Sequence, residues 1–199
     1  MARAGTKMKQ RQREAVLAAL ASELRQHDSW CGETHMQKAT YVLQELLDVP
    51  LGFDHILYKY GPFDYGLRDE LALMRADGLV ETEQVRGYGP RLRVTEGGER
   101  QLLKRWPKTV SSYRRRLSFV AKRFGDKGVG ELERLATALW VRREHPDATV
   151  EEQARRLHEI KPHVGVDRAQ EALDQVAEWE REARALLARS APRRRRVAS

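Results

Sequence analysis

Residues 56–95 read ILYKYGPFDYGLRDELALMRADGLVETEQVRGYGPRLRVT, and the order of elements within this stretch decides the fold. Ile56 to Tyr60 predicts a short extended piece, with Gly61-Pro62 turning the chain out of it. Asp64 opens a helix over 64–77, in which Leu67, Leu71 and Met74 recur at three- and four-residue steps. Gly78 stops it, at the position where a left-handed cap is cheapest for glycine. Leu79 to Val85 predicts a strand, Arg86-Gly87-Tyr88-Gly89-Pro90 a turn, and Arg91 to Thr95 a second strand. Thr95 begins a further helix, although Gly97 and Gly98 weaken its first turn.

Upstream, residues 9–26 predict a helix with one apolar stripe of Val16, Leu17, Leu20 and Leu24. Asp28, Ser29 and Gly32 break it. Thr34 is the expected cap of a second helix over 35–47, which Pro50 and Gly52 end. Helix, helix, short strand, helix, hairpin, helix is the order of a winged helix, with the third helix facing the groove and 86–90 as the wing tip. After Trp106-Pro107 the pattern is helical, over 108–124, 131–144, a segment from Val150 to Ile160, and 167–189. The expected fold class is therefore mostly α with a small β-hairpin: a winged-helix domain over 1–106, a helical domain over 107–189 and a disordered basic tail over 190–199. Leu173, Val176, Trp179 and Leu187 are expected on one buried face, against 131–144 or against a second chain in a homodimer.

Three stretches resemble a known group. Met36-Gln37-Lys38-Ala39-Thr40-Tyr41 is similar to the start of its second helix. Tyr58-Lys59-Tyr60-Gly61-Pro62-Phe63, followed by Leu67, Glu70, Leu71, Leu73 and Gly78-Leu79-Val80, resembles its glycine-proline signature. Leu132 to Trp140, with Lys161-Pro162-His163 downstream, resembles a helical extension found in some members. The group is the YwgA-like proteins of bacteria and archaea, and the Panacea-domain antitoxins share the first two signatures. The resemblance spans 30–165 and implies a winged helix engaged in transcriptional control or in neutralising a toxin by direct contact. Met36 stands where the antitoxin pattern has leucine, and the helical half and arginine tail lie outside the minimal antitoxin domain.

The net charge of +8 is unevenly spread. Residues 104–127 carry nine basic side chains against one acidic, whereas 26–103 carry eight against thirteen and 128–188 nine against thirteen. The remaining basic charge lies at the two ends of the chain. No apolar run approaches the roughly 20 residues of a membrane span. The basic N-terminus leads into no apolar signal core, and Cys31 is the only cysteine, so a cytoplasmic protein without an intrachain disulfide is expected.

Catalytic chemistry finds little support. GxxxxGK[ST], a full GxGxxG, GxSxG and HExxH are all missing. His27, Cys31 and His35 are spaced to bind zinc on one helix, but Asp28-Ser29 and Gly32 interrupt it, and an ordinary turn with a free thiol explains them. No enzyme activity, metal or cofactor is expected.

The leading reading is a non-enzymatic regulator that associates with nucleic acid, duplex DNA in particular. The alternative is a protein-interaction module such as an antitoxin or adaptor. The third helix contains Asp64, Asp69, Glu70 and Asp77 against Arg68 and Arg75, which argues against seating it among phosphates. The nucleic-acid footprint is therefore expected on Lys104, Arg105, Lys108, Arg114, Arg115, Arg116, Lys122 and Arg123, with Arg86 and Arg91 at the wing contributing less. Solvated charge that merely offsets the acidic bodies is the competing explanation. Around Gly61-Pro62, Tyr58 and Phe63 are expected in the core, while Tyr60 and Tyr65 are candidates for contact with a protein partner or toxin.

Overall fold

The computed structural model describes residues 8–190 apart from Tyr88. It is mostly helical, with two small antiparallel hairpins. Helix α1 spans Gln10–Gln26 and α2 spans Glu33–Glu45. Strands β1 (Ile56–Tyr58) and β2 (Gly61–Phe63) form the first hairpin, and α3 (Tyr65–Ala76) follows. Strands β3 (Val80–Glu83) and β4 (Arg91–Val94) form the second. A short α4 (Glu96–Gly98) continues as a π-helical turn over Glu99–Leu103. Then come α5 (Pro107–Phe124), α6 (Val129–Glu144), α7 (Val150–Ile160) and α8 (Val166–Ser190). Of the disordered tail expected over 190–199, Ser190 instead ends α8 and the rest lies outside the described residues, as do the first seven residues and Tyr88 of the turn expected over 86–90.

Several local expectations hold for stated reasons. Asp64 caps α3 by accepting the Leu67 N–H at 2.6 Å. Gly78 takes φ +66° after it. A reciprocal capping box between Thr149 and Glu152, not among the expectations, starts α7. Thr95 caps α4 through the Gly98 N–H, 2.9 Å away. The glycine that seemed to weaken this turn has a packing reason: a Cβ on Gly98 would stand 2.0 Å from the Leu79 carbonyl oxygen, so only glycine lets the helix start close over the wing strand.

Other expectations are corrected. Gly32, not Thr34, caps α2, and Thr34 lies inside the helix. Lys59-Tyr60 is the turn after β1, and Gly61-Pro62-Phe63 returns as a strand, pairing Ile56 with Phe63, Leu57 with Pro62 and Tyr58 with Gly61. The first strand thus belongs to a hairpin separate from the β3–β4 wing. That hairpin is drawn toward α6, where a Cβ on Gly61 (φ +87°) would meet Thr137 Oγ1 at 2.8 Å. Tyr58 is 52% exposed rather than in the core, because pairing with Gly61 turns it outward.

Helix α1 was expected to bury one stripe, but every residue from Ala15 to Ala21 is buried. Helix α5 lies along its second side, and the alanines at 15, 18, 19 and 21 allow the close approach. A continuous apolar cluster therefore runs from α1 and α2 through Leu117, Val120 and Phe124 of α5 into α6 and α8. Leu173, Val176 and Trp179 are buried as expected, with Trp179 set against Phe124 at 5.6 Å between ring centres, and Leu187 is half-buried. The apolar face that suggested a homodimer is covered by α6 and α7 of the same chain.

Candidate nucleic-acid interface

Helix α5 contains no Asp or Glu in its 18 residues. Pro107 sits in its first turn, where a missing N–H costs nothing. Leu117, Val120, Ala121 and Phe124 are buried on its inner face. Residues seven apart return to nearly the same side of a helix, so Lys108, Arg115 and Lys122 form a row along the opposite face, extending about 21 Å at 1.5 Å per residue. All three are exposed, and none makes an ion pair or side-chain hydrogen bond among the described residues. Arg114 flanks the row, and Lys104 and Arg105 precede it, each exposed and equally without an ionic partner among the described residues.

Two members of the expected footprint on α5 are engaged within the chain. Arg116 donates to the Asp48 carbonyl at 3.1 Å and lies over the Tyr113 ring. Arg123 pairs with Glu182 of α8, donates to the Phe119 carbonyl at 3.0 Å and stacks 3.5 Å from that ring's centre. The consecutive triplet Arg114-Arg115-Arg116 is therefore not one surface. The seven-residue spacing of Lys108, Arg115 and Lys122 already sets them on one side of a helix in the sequence.

On the β3–β4 hairpin, where a wing was expected, Arg91 and Arg93 meet carboxylates of the same hairpin. Arg91 bonds Glu83 at 2.6 Å and lies over Trp30, while Arg93 pairs with Glu81 and, at 3.5 Å, with Glu83. The hydrogen bond from Arg91 holds the Glu83 carboxyl below its ordinary range. Arg86 is exposed.

Helix α3 is less acidic on its outer side than its composition implies. Asp64 is buried as the cap and also accepts the Asp54 N–H at 2.7 Å. Glu70 is buried against Arg13, at 2.9 Å, and its pKa rises because burial outweighs that pairing. Asp77 pairs with Arg11 at 3.3 Å. Only Asp69 then opposes Arg68 and Arg75 outside, and the objection to α3 as a phosphate contact weakens accordingly.

The glutamine-lysine and glycine-proline signatures meet in space. Gln37 donates to the Asp64 carbonyl at 2.9 Å and accepts the Asp64 N–H at 3.0 Å. Lys38, 1% exposed, donates to the Pro62 carbonyl at 2.9 Å. Burial pushes its ammonium down to about 8, against the pull of Glu133. Lys161 completes the group, donating to the Lys59 carbonyl at 3.1 Å and pairing with Glu133 at 3.4 Å. Two neighbouring positions of α2 thus hold both the first hairpin and the start of α3. Outside this clamp, Tyr58, Phe63 and Tyr65 stack with ring centres 5.1–6.1 Å apart. Ile56, Tyr58, Tyr60 and Tyr65 are exposed there. Tyr58 and Ile56 were not among the expected contact residues; no hydropathy pattern distinguishes the exposed side of so short a strand.

His27, Cys31 and His35 do not assemble a metal site: no group of three potential ligands exists among the described residues. Cys31 is buried, and burial pushes its thiol up to about 12. Among the described residues no helix is long and apolar enough to cross a membrane. No protein-family model matches the chain, and no curated protein sequence is significantly similar to it.

Proposed function

We propose that the chain is a non-enzymatic winged-helix regulator that associates with duplex nucleic acid, DNA first of all, through the outer face of α5. One observation carries this reading: Lys108, Arg115 and Lys122 line one face of a helix without carboxylates, with no ionic partner among the described residues. The competing view, that the basic charge offsets acidic bodies, accounts for Arg91, Arg93 and Arg123, which do meet carboxylates, but not for this row. A duplex strand carries one phosphate per ~3.4 Å of axis, so a row of this length faces several phosphates at once.

The winged-helix reading rests on element order and on the β3–β4 wing following α3, in a variant whose first strand pairs with its own β2. Kinship with the YwgA-like and Panacea-domain proteins is part of the same proposal. The contacts of Gln37 and Lys38 with residues 62–64 support it by giving both signatures one shared task.

Fluorescence anisotropy with a labelled random duplex at low salt tests the function. The parent is expected to bind, and a Lys108→Gln/Arg115→Gln/Lys122→Gln variant to melt like the parent while losing most of its affinity. A parent that leaves the duplex unbound contradicts the proposal.

The second reading, a protein-interaction module such as an antitoxin or adaptor, has its own observation in the exposed aromatic cluster on the first hairpin. Tyrosine-rich exposed patches suit protein contact. Under this reading Tyr58→Ser and Tyr60→Ser break co-purification with the partner and leave duplex binding as it was.

A further inference from the structure

A surface cavity of about 290 Å³ lies between the start of α6 and the turn joining α7 to α8, lined by Gly130, Arg134, His163, Val164, Gly165 and Arg168. Two of these side chains, Arg134 and Arg168, are permanent cations, and the lining contains no carboxylate. Several helix arginines meet carboxylates: Arg142 with Glu180 at 2.8 Å, Arg143 with Glu45 at 2.6 Å, Arg13 with Glu70. Arg134 and Arg168 make no ion pair or hydrogen bond among the described residues, and Arg134 Nε is buried without a partner. Guanidinium groups without an acceptor among the described residues are available to an anion in the cavity.

The walls are fixed. The Val164 carbonyl meets His158 Nδ1 at 2.7 Å, and the Val164 N–H donates to the Lys161 carbonyl at 2.8 Å. Lys161 is itself held by Glu133 and the first hairpin. The nearby carboxylate of Glu131 is occupied by Lys127 at 2.7 Å. Two helices also begin here. α6 starts after Gly128 with no side-chain cap, and α8 starts after Gly165, so first-turn N–H groups and the positive ends of two helices add to the arginines.

The geometry points to this cavity as a binding site for a small phosphate-bearing molecule, distinct from the duplex surface on α5. Paired guanidinium forks suit an anion with several oxygens better than a single carboxylate. The volume exceeds that of a lone phosphate and lies near the lower end of small-molecule pockets, ~300 Å³, so the phosphate would come with a compact organic body. In a regulator of the kind proposed above such a site would serve an effector, but the cavity and its unpaired arginines stand whether or not α5 binds a duplex.

The full-length chain is titrated with inorganic phosphate and with pyrophosphate at constant ionic strength, chloride replacing the ligand in controls, by calorimetry and thermal melting. Saturable binding and a raised melting temperature are expected with both. Arg134→Gln and Arg168→Gln should each weaken binding about tenfold or more, the loss of one charge-assisted contact. Gly130→Glu supplies a safeguard against misfolding. A Cβ at Gly130 meets nothing within 4 Å, and a carboxylate in the first turn of a helix is favourable, so this variant should melt at or above the parent temperature and no longer respond to phosphate. The Lys108→Gln/Arg115→Gln/Lys122→Gln variant should bind pyrophosphate as the parent does. The inference is overturned by a non-saturable response, by unchanged affinity in both arginine variants and the Gly130 variant, or by competition in which a short duplex displaces pyrophosphate, which would make the cavity part of the nucleic-acid surface.

Discussion

Helices α3 and α5 both carry arginines outward, yet they resolve their charges in opposite ways. α3 contains acids, and the fold disposes of most of them: Asp64 becomes a cap, Glu70 turns inward to Arg13, and Asp77 meets Arg11. α5 contains no acids, and of its basic side chains only Arg116 and Arg123 are engaged by other elements among the described residues. Composition therefore misjudged both helices, overstating the acidity of one surface and overstating the footprint of the other. Surface charge is decided by which side chains the packing consumes, and what is left is a mixed face on α3 and a uniform row on α5.

The comparison can be broken first by loosening α5 alone. Trp179 packs on Phe124 at the end of α5 and is 5% exposed, so Trp179→Ala should cost about 3–5 kcal/mol in urea unfolding, with the α5 row displaced. A melting curve that matches the parent would show that α8 does not hold α5 in place.

Acid offers a second lever, on the α3 side. Burial lowers the pKa of His55 to about 4, and both its ring nitrogens are buried without hydrogen bonds beside Tyr41 and Phe53. A histidine with a folded-state pKa below its ordinary value near 6.5 stabilises the fold above that value. The contribution is lost as pH falls from about 6.5 toward 4, to an amount on the order of 3 kcal/mol. Stability measured by denaturant titration across this range should fall more steeply in the parent than in His55→Phe. Equal slopes would contradict the burial argument.

The smallest effect concerns the cap that joins the first hairpin to α3. Asp64→Ala removes the acceptor for the Leu67 and Asp54 N–H groups and should cost about 1–2 kcal/mol in thermal or chemical unfolding, with the α5 face unaffected. A neutral result would mean that Gln37 alone fixes the start of α3.

Much of the fold was readable because the signals were local. The Asp64 cap, the Gly78 stop and the helix boundaries after Trp106 all depend on residues within one turn of each other. What escaped depended on distant partners. Nothing near Tyr58 says that Gly61 will pair with it, since the hairpin is set by Lys38 of α2, Thr137 of α6 and Lys161 just after α7. Glycine at 98 looked like a weak helix start, whereas Leu79 lying across it is the reason for it. The candidate interface was half legible: the basic segment stood out by charge, but the engagement of Arg116 and Arg123 required the positions of Asp48 and Glu182.

The central claim is that the α5 row, and not α3, carries the phosphate contacts. The most direct measurement is the slope of log affinity against log salt for a random duplex, determined for the parent, for Lys108→Gln/Arg115→Gln/Lys122→Gln and for Arg68→Gln/Arg75→Gln. Each lost phosphate contact lowers the slope by about 0.9. The α5 variant should lose close to three such steps while the α3 variant keeps nearly the parent slope; a parent slope retained by the α5 variant, or a larger loss in the α3 variant, would contradict the account.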